Sequence, residues 1–560
     1  MTKKQTKVIT ILTIIAFILA ILVCNRIWIR FDMTHNKAHT ISKESRNIHK
    51  DLIETLSITY YISDKLKNAD PKMGEIEDTL KEYTAYSKGK MHLSIVDPVK
   101  ADLTMMIEGF GLQSRPLPIM EKDQQSLITV YSGIVLKYLD SVEIIPWVNS
   151  TNNLESKLTS RIRSMIMNRE RWIGVIVGDS YRGWREDFAY LNNALVEDGY
   201  RVRLISAGDE IPDNAPGLFV FGGVEDFDEW TLYRIDRYIQ LGGRVLFASD
   251  AVFVDTLYST LDPRMLSNKG LLDMIAAYGV IIRPELVLDK NAQIMQYPSR
   301  TQAGSTVIKR VPYPLWIGVT GENGNIKHPV SSGFQGLDLF WASPLELAPV
   351  SSVEAVPLFT SSPNAWLMRD GYYTNPEVAY ALELEASWTT GVKILGASLT
   401  GVFPSFFREG VKPVREDSNE ELPDMPLQAK PSRVIVIGDV DFATNMLSYT
   451  GAEYNLEFLV RTADYLINDE DIIKIRNNQG QAKFKVTDQK RINSAMRFSQ
   501  IVNVGLVPLF VIICGLLFSN YRRKKAVKTA LAAKTALADQ TANEIKTEDA
   551  RQNMESDNEL

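Results

Sequence analysis

The chain of 560 residues is too long for one hydrophobic core, and at about 100–200 residues per domain it should form three or four units. Apolar and charged contents of 45% and 23% are ordinary for a folded protein. The formal net charge of −6, with no basic stripe interleaved with aromatic residues, argues against nucleic acid as a partner.

The first long apolar run is Val8–Cys24, which is uncharged and preceded by lysines. A signal peptide would have the same core, but no small-x-small cleavage site follows the run. We therefore predict a cytoplasmic segment over residues 1–7 and an uncleaved transmembrane helix over 8–28.

Residues 29–150 then alternate strand and helix patterns. We predict helices over 43–52 (N-cap Ser42), 71–86 and 103–110, and strands over 56–62, 91–96, 127–131, 134–139 and 142–145. Ser132-Gly133 would make a hairpin turn between two of these strands. The order strand, helix, strand, helix, hairpin is that of a thioredoxin-like α/β module without its CxxC motif.

Residues 151–475 read as a second α/β domain, entered by a helix over 153–167. Short strands that are apolar along their whole length, at 172–177, 201–205, 218–221, 245–248, 394–399 and 433–437, alternate with helices at 184–197, 230–241, 269–278 and 455–467. Such strands indicate a parallel, doubly wound sheet buried on both faces. We expect a loop-rich insertion over 291–345, made of long loops or edge strands, and an exposed polar excursion over 408–432.

The chain end repeats the pattern of the start: a polar stalk over 476–500 leads to a second apolar run, 501–519. A basic cluster, Arg522–Lys525, follows it. We predict a second transmembrane helix over 501–519 and a cytoplasmic tail over 520–560. The protein would then be anchored in the inner membrane with both termini in the cytoplasm and the bulk of the chain on the extracytoplasmic side.

Motifs for the common chemistries are absent from the sequence. The only cysteines, Cys24 and Cys514, fall in the two apolar runs, so the region between them has no disulfide and no thiol nucleophile. The chain contains neither the nucleotide-binding pattern GxxxxGK[ST] nor a GxSxG elbow. Of the five histidines, His35 and His39 have the i, i+4 spacing of zinc ligands, but their stretch does not read as a helix, so we predict no metal and no cofactor.

Four aspartates come directly after predicted buried strands or within a few residues of them: Asp179, Asp250, Asp439 and Asp441. Because the carboxyl ends of parallel strands meet at one edge, these carboxylates should gather there. They could bind a hard cation or hydrogen-bond sugar hydroxyls, or they could cap helices and turns.

Two other features are candidate ligand contacts. Gly222-Gly223 would let a ligand approach the backbone, or would form a tight turn after a strand. Trp316 and Trp341, in the Gly/Pro-rich region, would stack on a sugar or a partner if they are exposed, or pack in a core if they are not.

Four stretches resemble, in the same order, the GldG-like auxiliary proteins of gliding-motility-type ABC transporters. They are RFDMTHNKAHTIS, IPDNAPGLFVFGG with LYRIDRYIQLGGRVLFASD, RVIVIGDVDFATN with NLEFLVRTADYLINDEDIIKIR, and a final apolar run ending in YRRKK. The resemblance implies a membrane-anchored protein with a glutamine-amidotransferase-like central fold that works beside separate permease and ATPase subunits.

We therefore predict a non-enzymatic scaffold or binding subunit of an ABC transporter complex, in contact with the lipid bilayer and with an envelope or carbohydrate ligand. The alternatives are a membrane-tethered carbohydrate-active or hydrolytic enzyme that uses the strand-end aspartates, and a solute-binding receptor.

Overall fold

A computed structural model describes residues 40–121, 124–178, 182–206, 208–222, 227–256, 261–265, 270–300, 304–377, 390–407, 412–414, 421–479, 497 and 507–556. The chain forms two compact units, Met1–Ala482 and Lys483–Leu560. The first unit is mixed α/β, and the described part of the second is mainly one helix.

The helices are α1 Lys43–Asn47, α2 Asp64–Ala69, α3 Lys72–Ala85, α4 Thr104–Gly109, α5 Leu154–Met167, α6 Trp184–Asp187, α7 Ala189–Glu197, α8 Glu229–Gln240, α9 Gly270–Tyr278, α10 Glu453–Leu466, α11 Glu470–Gln479 and α12 Val507–Ser556. Short 3₁₀ turns occupy Ile48–Lys50, Gly321–Asn323, Asp441–Ala443 and Asn445–Tyr449.

The strands are β1 Leu56–Ile62, β2 Met91–Val96, β3 Ser114–Glu121, β4 Gln124–Tyr138, β5 Ser141–Ile145, β6 Trp172–Gly178, β7 Arg201–Leu204, β8 Leu218–Gly222, β9 Val245–Ala248, β10 Val252–Asp255, β11 Asp262–Met265, β12 Val280–Ile282, β13 Leu286–Leu288, β14 Ala292–Arg300, β15 Thr306–Thr320, β16 Gly336–Phe340, β17 Leu345–Leu347, β18 Val353–Thr360, β19 Trp366–Met368, β20 Ile394–Gly401 and β21 Ser432–Ile437.

The N-terminal sheet has the order β2-β1-β4-β3, with β5 also paired to β4. β1 and β2 run parallel, as expected for strands joined by helices, and β4 runs antiparallel to β1. α3 packs on the sheet through Met73, Ile76 and Leu80, which share one helical face and are each 1% exposed or less.

The hairpin predicted at Ser132-Gly133 is wrong, because β4 runs straight through these residues. Ser132 is buried and its hydroxyl donates to the carbonyl of Val148. A Cβ at position 133 would lie 2.9 Å from the carbonyl oxygen of Pro146. The glycine is therefore needed because another part of the backbone approaches closely. A Ser-Gly pair in the sequence is compatible with such an approach as well as with a turn.

The central sheet has the order β12-β17-β20-β21-β9-β8-β6-β7, and β18 also pairs with β20. The strands β7, β6, β8, β9 and β21 are mutually parallel, whereas β20, β17, β12 and β18 add antiparallel pairs. The chain starts at β6, steps to β7 and then crosses to β8 on the other side. The strand order therefore reverses between β6 and β8.

Both faces of the parallel strands are buried, which explains why these strands are apolar throughout. Helices α7 and α10 cover one face through residues such as Leu195 and Leu459. Helices α8 and α9 cover the other through residues such as Ile235 and Ile275. Asp228 caps α8 by accepting a hydrogen bond from the amide of Thr231 at 2.9 Å.

The region 291–345 is more regular than the predicted loops. It contains an antiparallel sheet, β14-β15-β16, whose longest strand is β15. The proline and glycine content hid these strands, since Pro312 and Gly318 both lie within the ladder. The excursion 408–432 is also not fully exposed, because Leu422 packs against Trp230 and Tyr233 of α8.

A buried ion network lies at the amino ends of β6 and β7. Asp464 of α10 accepts hydrogen bonds at 2.6 Å from the side chains of Arg171, Tyr200 and Arg476, and Arg476 also pairs with Asp198. Burial opposes the charged form of Arg476, but its two carboxylate neighbours outweigh burial and raise its pKa. Arg171 and Arg476 balance Asp198 and Asp464 in formal charge. Arg171 also lies 3.9 Å from Asp469, which pairs with Arg163 at 3.2 Å.

Arg161 of α5 joins the N-terminal sheet to the central one. Its guanidinium donates to the carbonyl of Ile144 at 2.9 Å and to that of Glu197, at the end of α7, at 2.7 Å. The side chain is fully buried, and burial lowers the pKa of Arg161 to about 10.

Neither predicted transmembrane helix is found in the part of the chain that the structure describes, where no helix is both long and apolar enough to cross a membrane. The first prediction, 8–28, lies outside the described residues. In the second, residues 507–519 begin α12, which continues without a break through the basic residues 522–525 to Ser556.

Candidate functional site

Three of the four strand-end aspartates come together at the carboxyl edge of the parallel strands. Asp250 follows β9, and Asp439 and Asp441 follow β21, which pairs with β9 in parallel. Asp250 accepts a hydrogen bond from the amide of Val440 at 2.8 Å, which ties the two strand ends together. Asp179 lies outside the described residues.

Arg182, which the sequence did not single out, lies between two of these carboxylates. Its Nε is 3.0 Å from Oδ1 of Asp441, and a terminal nitrogen is 3.4 Å from Oδ2 of Asp250. The guanidinium also lies 5.0 Å from the ring centroid of Phe253, within cation–π range. Only 9% of the Arg182 side chain is exposed, so its placement is fixed by these contacts.

Asp439 is the most enclosed of the three carboxyl groups. Its Oδ2 accepts the amide of Phe340 at 2.7 Å and its Oδ1 accepts the amide of Asp441 at 2.7 Å, so the end of β16 covers it. Burial, together with the nearby carboxylates of Asp250 and Asp441, raises the pKa of Asp439 well above its usual value. These surroundings therefore shift Asp439 towards its protonated form.

A cleft of about 280 Å³ opens beside Arg182 and Asp441. Its lining residues are Arg182, Asp187, Phe253, Val254, Asp255, Thr256, Asp441, Thr444, Asn445, Met446, Ser448 and Tyr449. They come from the segment before α6 and the end of that helix, from β10 and the residue after it, and from the segment after β21 that contains the two 3₁₀ turns. A cleft outside the carboxyl ends of parallel strands is where ligands of open α/β sheets bind.

The cleft wall offers carboxylate, hydroxyl and amide groups beside two aromatic rings. Three of its side chains are acidic and one is basic. Thr444 and Ser448 are tied into the turns by hydrogen bonds to the carbonyls of Asp441 and Asn445, which holds the wall in one shape. This surface suits a small polar ligand that carries hydroxyl or cationic groups.

Of the two glycines predicted as candidate ligand contacts, the structure describes Gly222, and its role there is structural. Gly222 ends β8 with φ +68°, a left-handed conformation that favours glycine, and its carbonyl accepts the hydroxyl of Ser249 at 3.2 Å. Gly223 lies outside the described residues.

Trp316 and Trp341 are buried, with 4% and 2% exposure, and cannot stack on a surface ligand. They pack edge to face at 6.0 Å in a cluster with Tyr313 and Phe340. Trp341 donates its Nε1–H to the hydroxyl of Tyr313 at 3.1 Å. Trp316 lies 6.2 Å from the ring of Tyr449, so this aromatic core backs one wall of the cleft.

No three histidine, cysteine or acidic side chains in the described ranges are placed to hold a metal ion. The carboxylates at the sheet edge are already engaged by Arg182 and by backbone amides. A hydrolytic enzyme would also need an accessible carboxyl pair, whereas Asp250 and Asp439 are 5% and 0% exposed.

A search against protein-family models places residues 170–468, slightly more than half of the chain, in the family described as ABC-type uncharacterized transport system. Residues 35–137 match a domain of unknown function (DUF7088). A relative from Borreliella burgdorferi, an uncharacterized protein, is 27% identical over 538 residues, which cover 94% of this chain and 100% of the relative. By the family match across its central sheet and cleft, this chain belongs to the ABC-type uncharacterized transport system family of transporter auxiliary proteins.

Proposed function

We propose that this chain is a non-catalytic accessory subunit of an ABC transporter complex, of the gliding-motility GldG-like kind, that binds a small polar ligand in the cleft beside Arg182. The family supports the transporter role. The observation that carries the binding role is the arrangement at the sheet edge, where the carboxylates hold Arg182 and the neighbouring hydroxyl and aromatic groups form an open wall.

The partners that we propose are a separate permease and a separate ATPase, because the sequence lacks a nucleotide-binding loop of its own. Affinity purification of the tagged chain from its own cells in mild detergent should recover both proteins in stoichiometric amounts. Repeated recovery of the chain without either protein would contradict the accessory role.

The ligand role is tested by filling the cleft. Ser448 lines the cleft and is exposed, so Ser448→Trp should occupy the space without disturbing the core. Ser351→Trp, at an exposed turn elsewhere, is the matched control. Native mass spectrometry of protein purified from its source should find a small molecule on the wild type and the control, and lose it in Ser448→Trp. The same bound mass on all three proteins would place the ligand elsewhere.

We further propose that the folded unit 40–479 lies on the extracytoplasmic side, where an accessory subunit can meet a ligand before or after transport. Protease added to intact cells whose outer barrier has been opened should digest this unit while cytoplasmic markers survive. Protection of the unit equal to that of the markers would put it in the cytoplasm.

A further inference from the structure

The edge of the N-terminal sheet carries an interaction surface that is independent of the cleft. β2 is the outermost strand of this sheet and, among the described residues, pairs only with β1. Leu56 donates its amide to the carbonyl of Lys90 at 2.9 Å. In a parallel pair, alternate residues direct their amide and carbonyl groups to the same side. The backbone groups of Leu93 and Ile95 therefore point away from β1.

This edge has none of the features that usually prevent strand pairing. β2 reads MHLSIV, with no charged residue and no proline. Met91, Leu93 and Ile95 share one face of the strand and line a groove of about 510 Å³ with Lys81 and Thr84 of α3. A strand added here would extend the sheet through main-chain hydrogen bonds and cover apolar side chains in the groove.

The charges around β2 indicate what fits it. Lys90 comes directly before the strand, and Asp97 comes directly after it. A second β2 laid antiparallel would bring the basic start of one strand beside the acidic end of the other. β2 is also the kind of strand that the edge accepts, because it is uncharged and presents apolar side chains at alternate positions.

One register uses only free backbone groups. The amide of Met91 already donates to the hydroxyl of Ser87 at 3.2 Å, so Met91 cannot take part. Pairing Leu93 with Ile95 of the second copy, and Ile95 with its Leu93, makes reciprocal backbone bonds at both positions. The two-fold axis then passes beside Ser94, which faces its own counterpart in a non-hydrogen-bonded pair.

We propose that two copies of this chain associate through antiparallel pairing of their β2 strands, Leu93 against Ile95, into one continuous sheet. A two-fold pairing of this kind is self-complementary, and two-fold dimers are the commonest closed assemblies.

Cysteine cross-linking tests both the surface and the register. In the full chain with Cys24→Ser and Cys514→Ser, Ser94→Cys should form a disulfide-linked dimer under mild oxidation, because Cα atoms of a non-hydrogen-bonded pair lie about 4.5 Å apart, within disulfide range. In this register, residue 92 of one copy lies too far from residue 92 of the other for a disulfide to form. His92→Cys should therefore stay monomeric on a non-reducing gel. Equal cross-linking of both variants, absence of a Ser94→Cys dimer, or its linkage to a different protein would overturn the proposal.

A second measurement does not depend on cysteine chemistry. Ile95→Lys puts a charge into the pairing edge, and sedimentation of the full chain should give a dimer dissociation constant weaker by about tenfold or more. Met105→Lys, an exposed apolar residue elsewhere in the same domain, should leave it unchanged. An unchanged constant in Ile95→Lys, or a wild type that is monomeric at every concentration, would also overturn the proposal.

Discussion

Two buried charge clusters lie at opposite edges of the central sheet, and they differ in balance and in access. At the amino edge, Arg171 and Arg476 match Asp198 and Asp464 in an enclosed network. At the carboxyl edge, one arginine pairs with Asp250 and Asp441, two of the three aspartates, beside an open cleft. The first arrangement holds helices to the sheet, and the second keeps an acidic excess at a surface where a ligand can arrive.

The largest effect should come from breaking the enclosed cluster. Asp464→Asn removes the carboxylate shared by two buried guanidinium groups, and leaving such charges uncompensated costs about 3–5 kcal/mol. The free energy of unfolding in denaturant measures this cost. Asp471→Asn, which removes an exposed partner of Arg163, is the control and should cost less than about 1 kcal/mol. Equal losses in the two variants would contradict the distinction between enclosed and exposed pairs.

Breaking the open cluster should cost less. Arg182→Met keeps the aliphatic contact with Phe253 but removes the guanidinium that bridges Asp250 and Asp441. We expect a loss of about 1–3 kcal/mol, because the released Asp441 carboxylate lines the cleft, where water can hydrate it. Arg185→Met, on the exposed side of the same segment, should be nearly neutral in the same denaturant assay. If Arg182→Met cost as much as Asp464→Asn, the two edges would not differ as described.

The smallest effect is a dependence of stability on pH that belongs to Asp439. The folded protein keeps the proton of this carboxyl at pH values where the unfolded chain, near pKa 3.8, has lost it. The stabilising contribution is therefore complete below that value and is lost as the pH rises towards the raised folded pKa. Subtracting the stability curve of Asp439→Asn from that of the wild type should give a difference that falls by up to about 1.4 kcal/mol per pH unit in this window. A flat difference would show that Asp439 is charged in the fold.

The sequence predicted the elements well where local pattern and tertiary role agree. β1, β2 and β9 have the bounds that their apolar runs indicated, and Asp250, Asp439 and Asp441 converge because parallel strands end together. The pattern failed where one residue type has two uses. Ser132-Gly133 predicts a turn but lies within β4, and the glycines and prolines of 291–345 predict loops or edge strands where a three-stranded sheet forms.

The role of Arg182 could not be predicted from the sequence. Its two carboxylate partners are 68 and 259 residues away along the chain, and no local spacing relates them. The two transmembrane helices are predicted from apolar runs and the basic residues beside them, and the described part of the second run continues into a long charged helix. The burial of Trp316 and Trp341 likewise depends on a partner strand, β16, that the sequence did not indicate.

The position of Arg161 has a mechanical consequence. The guanidinium of Arg161 donates hydrogen bonds to β5 of the N-terminal sheet and to the end of α7. The two sheets are therefore joined by a buried side-chain contact as well as by the chain itself. A displacement of the N-terminal sheet should therefore also displace α7, which packs on the central sheet beside β6 and β7. For a protein that works beside an energy-consuming transporter, such a contact would let a movement of the N-terminal sheet reach the central sheet.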